Sequence, residues 1–191
     1  MSSVVVVTAP AVEPITLAQA KAHLRVDDTS SDDLITALIV AARQYAEKYT
    51  NRAFITQTLR AYFDKFTPVI RLPRPVLQSV TSVKYIDTNG TEQTVSSSLY
   101  KVDVASEPSR VVPVFGEVWP SARYEINAVY VEYDAGYGDA GTDVPQDIKQ
   151  AMYLHIGHMF ENREETTPVA ITELPMAYSA LLSTYRLPSF E

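Results

Sequence analysis

The sequence predicts an α+β protein, in which a small antiparallel helical bundle is interrupted by an inserted β-sandwich or barrel-like module. Three segments place apolar residues with the spacing of amphipathic helices: 16–26, 31–49 and 145–163. The long stretch between the second and third of them instead shows strand alternation and repeated turn signals. The chain therefore reads helix, helix, β-rich insert and helix, with these predicted parts: a first bundle part at 13–56, an inserted β module at 57–142, a second bundle part with a C-terminal helix at 143–187, and a tail at 188–191.

Composition restricts the possible functions. The 191 residues are 46% hydrophobic and 20% charged, which is typical of a globular protein rather than a disordered one. Cysteine is absent, which excludes a disulfide framework, a thiol nucleophile and a cysteine metal site. The apolar run Val4–Val7 is too short to span a bilayer. We therefore expect the protein to be made in the cytoplasm and not to associate with a membrane. The net charge of −7 and the scattered basic residues argue against tight, sequence-independent binding of nucleic acid.

The first predicted helix has a clear N-terminal signal. Thr16 is suited to the capping position, and Gln19 follows three residues later as the partner in a capping box. Leu17, Ala20 and Leu24 then fall on one face. Because this helix has only about three turns, it needs tertiary packing to persist.

The second predicted helix is longer and strongly amphipathic. Ser31 is expected to cap it, and Asp32 and Asp33 lie in the first turn, where the helix dipole favours negative charge. A broad apolar stripe follows, formed by Leu34, Ile35, Leu38, Ile39, Ala42, Tyr45, Ala46 and Tyr49.

The insert is predicted to contain about six short strands. Asn89-Gly90 lies between two extended runs and predicts a tight type I′ hairpin. Prolines punctuate the remaining segments, as is typical of short and edge strands. The other strand candidates are Leu99–Val104, Arg110–Phe115 and Glu125–Tyr133.

The third predicted helix opens with Pro145, a residue suited to the first helical position, and carries three candidate metal ligands. His155, His158 and Glu161 are spaced by three residues and could crowd one metal ion. A zinc-protease helix would instead place two histidines four residues apart around a glutamate. We therefore expect no metal, cofactor or catalytic residue, and keep a small metal-dependent hydrolase as the alternative.

The C-terminus combines residue types that favour binding. Thr172–Pro175 is expected to start a short helix with Met176, Ala180 and Leu181 on its apolar side. Tyrosine and arginine are enriched at binding hot spots, and a tail beyond the last helix has little core of its own to fill. The alternative is a tail folded back on its own helices. The candidate docking residues are Tyr185, Arg186, Leu187, Pro188 and Phe190.

These residues together resemble a known family. The chain resembles the head–tail connector (adaptor) proteins of long-tailed bacteriophages and gene transfer agents in four segments. These are the run 15–27 (ITLAQAKAHLRVD), the second helix through Tyr49-Thr50-Asn51-Arg52, the segment 144–151 with Glu161-Asn162-Arg163-Glu164, and the end Leu181–Arg186. The resemblance covers almost the whole chain. Because the smallest connectors lack a long β insert, it says least about residues 57–142.

The resemblance implies a non-enzymatic virion protein at the head–tail junction. Such a protein would form a homo-oligomeric, twelvefold ring under the portal protein after DNA packaging, with its C-terminal segment reaching into the portal. The ring would extend the DNA channel, through which DNA passes without specific binding, and would provide a platform for the next head-completion (stopper) or tail protein. An acidic lumen would suit this passage, since it repels the phosphates. A tail-completion or tail-terminator protein is a further alternative.

Overall fold

The chain folds into two compact units, as seen in a computed structural model that describes residues 3–162 and 176–187. Among these residues, a helical unit contains 12–55, 138–162 and 176–187, and a β unit contains 3–11 and 56–137. The described residues hold four helices and two antiparallel sheets, so the mixed α+β class is confirmed.

The helical unit is built on contacts between its two longest helices. The second and third helices pack on each other, the first helix contacts both of them, and the fourth packs mainly on the third. The buried positions Ile35, Ile39, Ile148 and Ile156 lie on the predicted apolar stripes. The helices are α1 (Leu17–Leu24), α2 (Asp32–Thr50), α3 (Gln146–Glu161) and α4 (Met176–Ser183). The predicted start of α4 at Thr172–Pro175 lies outside the described residues.

The predicted capping box of α1 is confirmed. The Gln19 backbone N–H donates to Thr16 Oγ1 over 3.2 Å, and the Thr16 backbone N–H donates to Gln19 Oε1 over 3.0 Å. Two N–H groups that have no partner within the helix are thereby satisfied. The helix ends at Leu24, and Arg25 adopts the left-handed conformation at φ 57°.

Ser31 does not cap α2 as predicted. It occupies the N-cap position, but its side chain makes no capping hydrogen bond because its backbone (φ −107°, ψ 7°) lies outside the extended region that capping uses. The first turn is instead held by Asp32, whose Oδ1 lies 2.6 Å from Lys21 Nζ of α1. At α3, Pro145 is the N-cap rather than the first helical residue.

The β unit contains a five-stranded sheet in the order β1-β2-β8-β4-β5 and a three-stranded sheet in the order β3-β7-β6. All the neighbouring strands in both sheets run antiparallel. The strands are β1 (Ser3–Thr8), β2 (Gln57–Phe63), β3 (Ile70–Arg71), β4 (Leu77–Ile86), β5 (Glu92–Thr94), β6 (Tyr100–Asp103), β7 (Arg110–Pro113) and β8 (Val129–Ala135).

The N-terminal valine run forms a strand that the sequence did not predict. Strand β1 pairs with β2, with Val4 opposite Ala61 and Val6 opposite Leu59. The β unit therefore contains a segment from before the helices as well as residues from the insert.

The turn at Asn89-Gly90 is not the predicted type I′ turn. Gly90 has a positive φ of 85°, but Asn89 does not, and a type I′ turn needs both. Asp87 closes a longer loop, since its N–H donates to the Thr91 carbonyl and its Oδ1 accepts from the N–H groups of Asn89 and Thr91. This aspartate explains the longer loop, because its carboxylate holds the turn open by two hydrogen bonds.

Among the described residues, no helix combines the length and the apolar character needed to cross a bilayer.

Candidate docking surfaces

The predicted docking segment begins on the surface of the helical unit, where three of its residues make specific contacts. Arg52 Nε donates to the Tyr185 carbonyl over 2.6 Å, and the Leu187 N–H donates to the Thr50 carbonyl over 3.0 Å. The Arg186 guanidinium carbon lies 5.4 Å from the centre of the Tyr49 ring, within cation–π range. The first part of the tail is therefore folded back on the end of α2. Pro188 and Phe190 lie outside the described residues.

The Tyr185 side chain is directed to the start of α3. Its hydroxyl donates to Asp147 Oδ2 over 3.4 Å. Partial burial, followed by the charge of Asp147, raises the pKa of Tyr185, so the hydroxyl stays protonated as a donor. Arg186 is exposed, whereas Tyr185 and Leu187 are half-buried. The arginine therefore presents the most accessible charged group of the described tail.

Helix α4 positions this tail through a buried aromatic cluster. Tyr178 is completely buried, and its ring contacts His155 at 5.2 Å, Tyr45 at 5.8 Å and Tyr49 at 6.1 Å between centroids. Leu182, one turn later on the same face, is also completely buried. The cluster joins α2, α3 and α4, which fixes where the chain leaves the last helix.

The three candidate metal ligands on α3 have different environments. His155 is buried between Tyr45 and Tyr178, and His158 Nδ1 lies 3.3 Å from the Asn162 side-chain nitrogen. Glu161 is exposed. Within residues 3–162 and 176–187, no group of three His, Asp or Glu side chains is arranged to hold a metal ion.

His155 should make stability depend on pH. Burial, with a smaller contribution from His158, lowers the pKa of His155 below its usual 6.5. The unfolded chain then binds a proton that the folded one resists, so the free energy of unfolding should fall as the pH drops below about 6.5. We expect His155→Phe, which keeps an aromatic ring beside Tyr45 and Tyr178, to reduce this dependence in denaturant titrations at pH 7.5, 6.5 and 5.5.

The control is His23→Gln, which changes an exposed histidine of α1. This variant should keep the pH dependence of the wild type. An equal pH dependence in wild type and His155→Phe would show that other groups are responsible.

A buried ionic network, which sequence reasoning missed, joins the start of the helical unit to α2. Arg43 Nε lies 2.7 Å from Glu13 Oε2, and Arg43 Nη1 lies 2.9 Å from Glu47 Oε2. Glu47 Oε1 accepts the Phe54 backbone N–H over 2.9 Å. Burial opposes the charge on Arg43, but the two carboxylates outweigh burial and raise the pKa of Arg43. The i, i+4 spacing of Arg43 and Glu47 was the one available sequence signal.

Residues 14–112 match the sequence profile described as phage gp6-like head–tail connector protein. No curated protein matches the chain in sequence.

Solved structures match the fold along nearly the whole chain. A chain from the virion of a native gene transfer agent particle is 22% identical and has a TM-score of 0.81, with 98% of this chain and 97% of that chain covered. A chain from the neck of the empty particle, computed with C6 symmetry, is 21% identical with a TM-score of 0.81 and coverage of 99% and 97%. A chain from the neck of the native particle, computed with C12 symmetry, is 22% identical with a TM-score of 0.74 and the same coverage.

Proposed function

The chain belongs to the phage gp6-like head–tail connector family, and we propose that it forms a twelvefold ring under the portal after DNA packaging. The ring extends the DNA channel and provides the attachment platform for the next head-completion or tail protein. One observation carries this proposal: the family profile and the fold of neck proteins coincide on the same chain, the latter over 98–99% of its length. The protein then resides at the head–tail junction of the virion.

Ring formation is supported by the symmetry of the similar assemblies. The necks that contain chains of this fold were computed with C12 and C6 symmetry. A closed ring of identical subunits uses a heterologous interface, in which two different surfaces of each copy meet. Each copy of this chain would therefore carry two complementary surfaces.

The charge of the chain supports a channel through which DNA slides. Each copy carries a net charge of −7, so a twelvefold ring multiplies this charge around one axis. A negative channel wall repels phosphates and keeps DNA from binding. DNA passage without specific contact is therefore part of the proposal.

The role we propose is structural and non-enzymatic, and the family membership supports it. The alternative of a metal-dependent hydrolase required His155, His158 and Glu161 to converge. In the part of the chain that the structure describes, His155 is buried, His158 lies beside Asn162 and Glu161 is exposed.

We assign the two parts of the chain different roles in the ring. Residues 13–56 and 143–187 would form a helical bundle that contacts the portal, and the module at 57–142, together with β1, would project as a small sandwich or barrel outward or toward neighbouring subunits. Support comes from the division into two compact units, each with its own buried apolar residues.

The C-terminal segment is the proposed portal contact, formed by Tyr185, Arg186, Leu187, Pro188 and Phe190. The exposed Arg186 and the position of Tyr185–Leu187 at one end of α2 support this. Because Tyr185 and Leu187 are held on the helical unit, they would serve as a fixed base. Residues 188–191 would provide the contact beyond it.

The test compares binding to tail-less, portal-bearing heads. Wild-type protein should bind and form rings visible by electron microscopy, and deletion of residues 188–191 should reduce binding at least tenfold. The melting temperature should stay unchanged, because the deletion leaves the contacts of Tyr185 and Leu187 intact. Arg186→Glu should also weaken binding, while Arg25→Glu, which changes an exposed arginine after α1, is the matched control.

Three results would contradict the proposal in different ways. If the deleted protein binds heads as well as the wild type, the tail is not the portal contact. Binding of the wild type to isolated tail tubes, with none to heads, would instead identify a tail-completion or terminator protein. Tightly bound stoichiometric zinc or iron that is lost in His155→Ala would favour the metal-dependent enzyme.

A further inference from the structure

One loop of the β unit exposes an unusual number of large apolar side chains. Phe115, Val118, Tyr124 and Ile126 are each at least 82% exposed. Single exposed apolar residues are normal on soluble proteins, but several within one short segment are typical of an interaction site. This loop connects β7 to β8.

A groove opens beside the first half of this loop. Its cavity has a volume of about 740 Å³ and is bordered by the exposed Phe115 and Val118. That volume lies within the range of sites that enclose a ligand or several side chains. The other apolar and aromatic lining residues are Phe66, Pro68, Val69, Val112, Pro113, Val114, Trp119 and Pro120.

Stacked rings hold one wall of the groove in place. Phe66 and Trp119 stack with their centroids 4.9 Å apart and an angle of 9° between the planes. The Tyr85 ring meets Phe66 edge-on at 5.5 Å. A preformed apolar wall of this kind reduces the entropy lost when a partner binds.

The second half of the loop forms a separate apolar protrusion, defined by Tyr124 and Ile126. Neither residue lines the groove. Its two ends are fixed, because the Arg123 N–H donates to the Ile86 carbonyl over 2.8 Å and the Asn127 N–H donates to Asp64 Oδ1 over 3.0 Å. The protrusion is therefore presented by a braced segment.

We propose that the groove of one copy receives the Tyr124–Ile126 protrusion of the next copy in the ring. This inference rests on the proposed ring, and it supplies the two different surfaces that a heterologous interface needs. Each copy carries both surfaces, so the same contact repeats around a closed ring.

The lining and the area of the groove both fit an apolar protrusion of a second copy. Among the thirteen lining residues only Glu117 is charged, so the contact is driven by apolar burial rather than by ionic attraction. An aromatic side chain buries about 150–250 Å². Phe115 on the groove side and Tyr124 on the protrusion side thus supply about 300–500 Å² of the roughly 1,600 Å² total in a standard interface, and their aliphatic neighbours and the groove walls add to it.

The first test places one negative charge on each surface in turn. Phe115→Asp at the groove and Ile126→Asp at the protrusion should each reduce ring formation on portal-bearing heads at least tenfold. Both residues are too exposed for these changes to disturb the fold, which circular dichroism will verify. The matched control is Val104→Asp, which adds the same charge at a half-exposed valine of the β unit outside both surfaces.

The second test uses the absence of cysteine from the natural chain. A mixture of Val118→Cys and Tyr124→Cys proteins, assembled on heads and oxidised, should give disulfide-linked dimers. Each variant alone should give at least tenfold fewer dimers, because the groove of one copy meets the protrusion of another.

The outcomes separate this inference from the proposed function. Rings of normal occupancy from Phe115→Asp and Ile126→Asp, or rings without cross-linked dimers in the cysteine mixture, would overturn the groove contact and leave the ring intact. Normal rings that fail to capture the next neck protein would assign the loop to that protein instead. A wild-type protein that forms no ring would overturn the proposed function and this contact together.

Discussion

Replacing Arg43 with methionine should destabilise the helical unit by about 3–5 kcal/mol, the typical cost of breaking a buried ion pair. The side chains of Arg43 and Glu47 are only 8% and 6% exposed. Removing the guanidinium takes one positive charge away from the buried Glu47 carboxylate and from Glu13 at the same time. Glu47 cannot easily turn toward solvent, because its other oxygen accepts the Phe54 N–H. Denaturant unfolding followed by the helical circular dichroism signal will measure the loss.

Two further variants test this explanation. Lys84→Met breaks the Lys84–Glu92 pair, whose side chains are 33% and 48% exposed, and should leave stability nearly unchanged. Combining Arg43→Met with Glu47→Gln should recover part of the loss, since the neutral amide no longer needs a counter-charge. If Arg43→Met proves as mild as Lys84→Met, the network does not stabilise the helical unit.

The helices were predictable because their signals are local. The apolar stripe of α2 repeats over 19 residues, and the capping box of α1 involves residues only three positions apart. Such patterns depend on neighbours along the chain, which a single sequence displays. Family resemblance added the head–tail connector assignment, which the family profile confirms.

Strand β1 and the turn after β4 were missed or misjudged for different physical reasons. Four consecutive valines at positions 4–7 show no alternation, and their partner strand β2 begins about fifty residues later. At the turn, Asn89-Gly90 has the right residues for a type I′ turn, but the carboxylate of Asp87 favours a longer loop. A competing side-chain hydrogen bond of this kind is hard to weigh from sequence alone.

The candidate surfaces depend on contacts between distant residues. Tyr185 was predicted as a docking residue because tyrosine is enriched at binding hot spots. Its contact with Arg52 was not predictable, because the two positions lie 133 residues apart. The groove in the β unit likewise combines residues near Phe66 with residues near Trp119. Apolar side chains in a predicted strand region are expected to be buried, so no sequence signal indicated that Phe115 lies on the surface.

Two substitutions of Tyr178 should have opposite effects on stability. The larger effect is a decrease of about 3–5 kcal/mol in the free energy of unfolding for Tyr178→Ala. The ring is completely buried among Tyr45, Tyr49 and His155, so its removal leaves a cavity where α4 meets α2 and α3. Helix α4 has only eight residues and little stability of its own. We therefore expect the Leu187 amide, which donates to the Thr50 carbonyl, to lose its protection in hydrogen exchange.

Tyr178→Phe should instead preserve or raise stability, by up to about 1 kcal/mol. The Tyr178 hydroxyl is buried and finds no hydrogen-bond partner among the described residues, so the phenylalanine ring keeps the packing and removes an unsatisfied polar group. Denaturant unfolding and hydrogen exchange of both variants will separate packing from hydrogen bonding. Equal losses in the two variants would mean that the hydroxyl is bonded, and an unchanged Leu187 amide in Tyr178→Ala would mean that the tail is held without α4. If the tail is held in place by Tyr178, Tyr178→Ala should also weaken binding to portal-bearing heads, whereas Tyr178→Phe should not. Such a difference would connect the aromatic cluster to assembly.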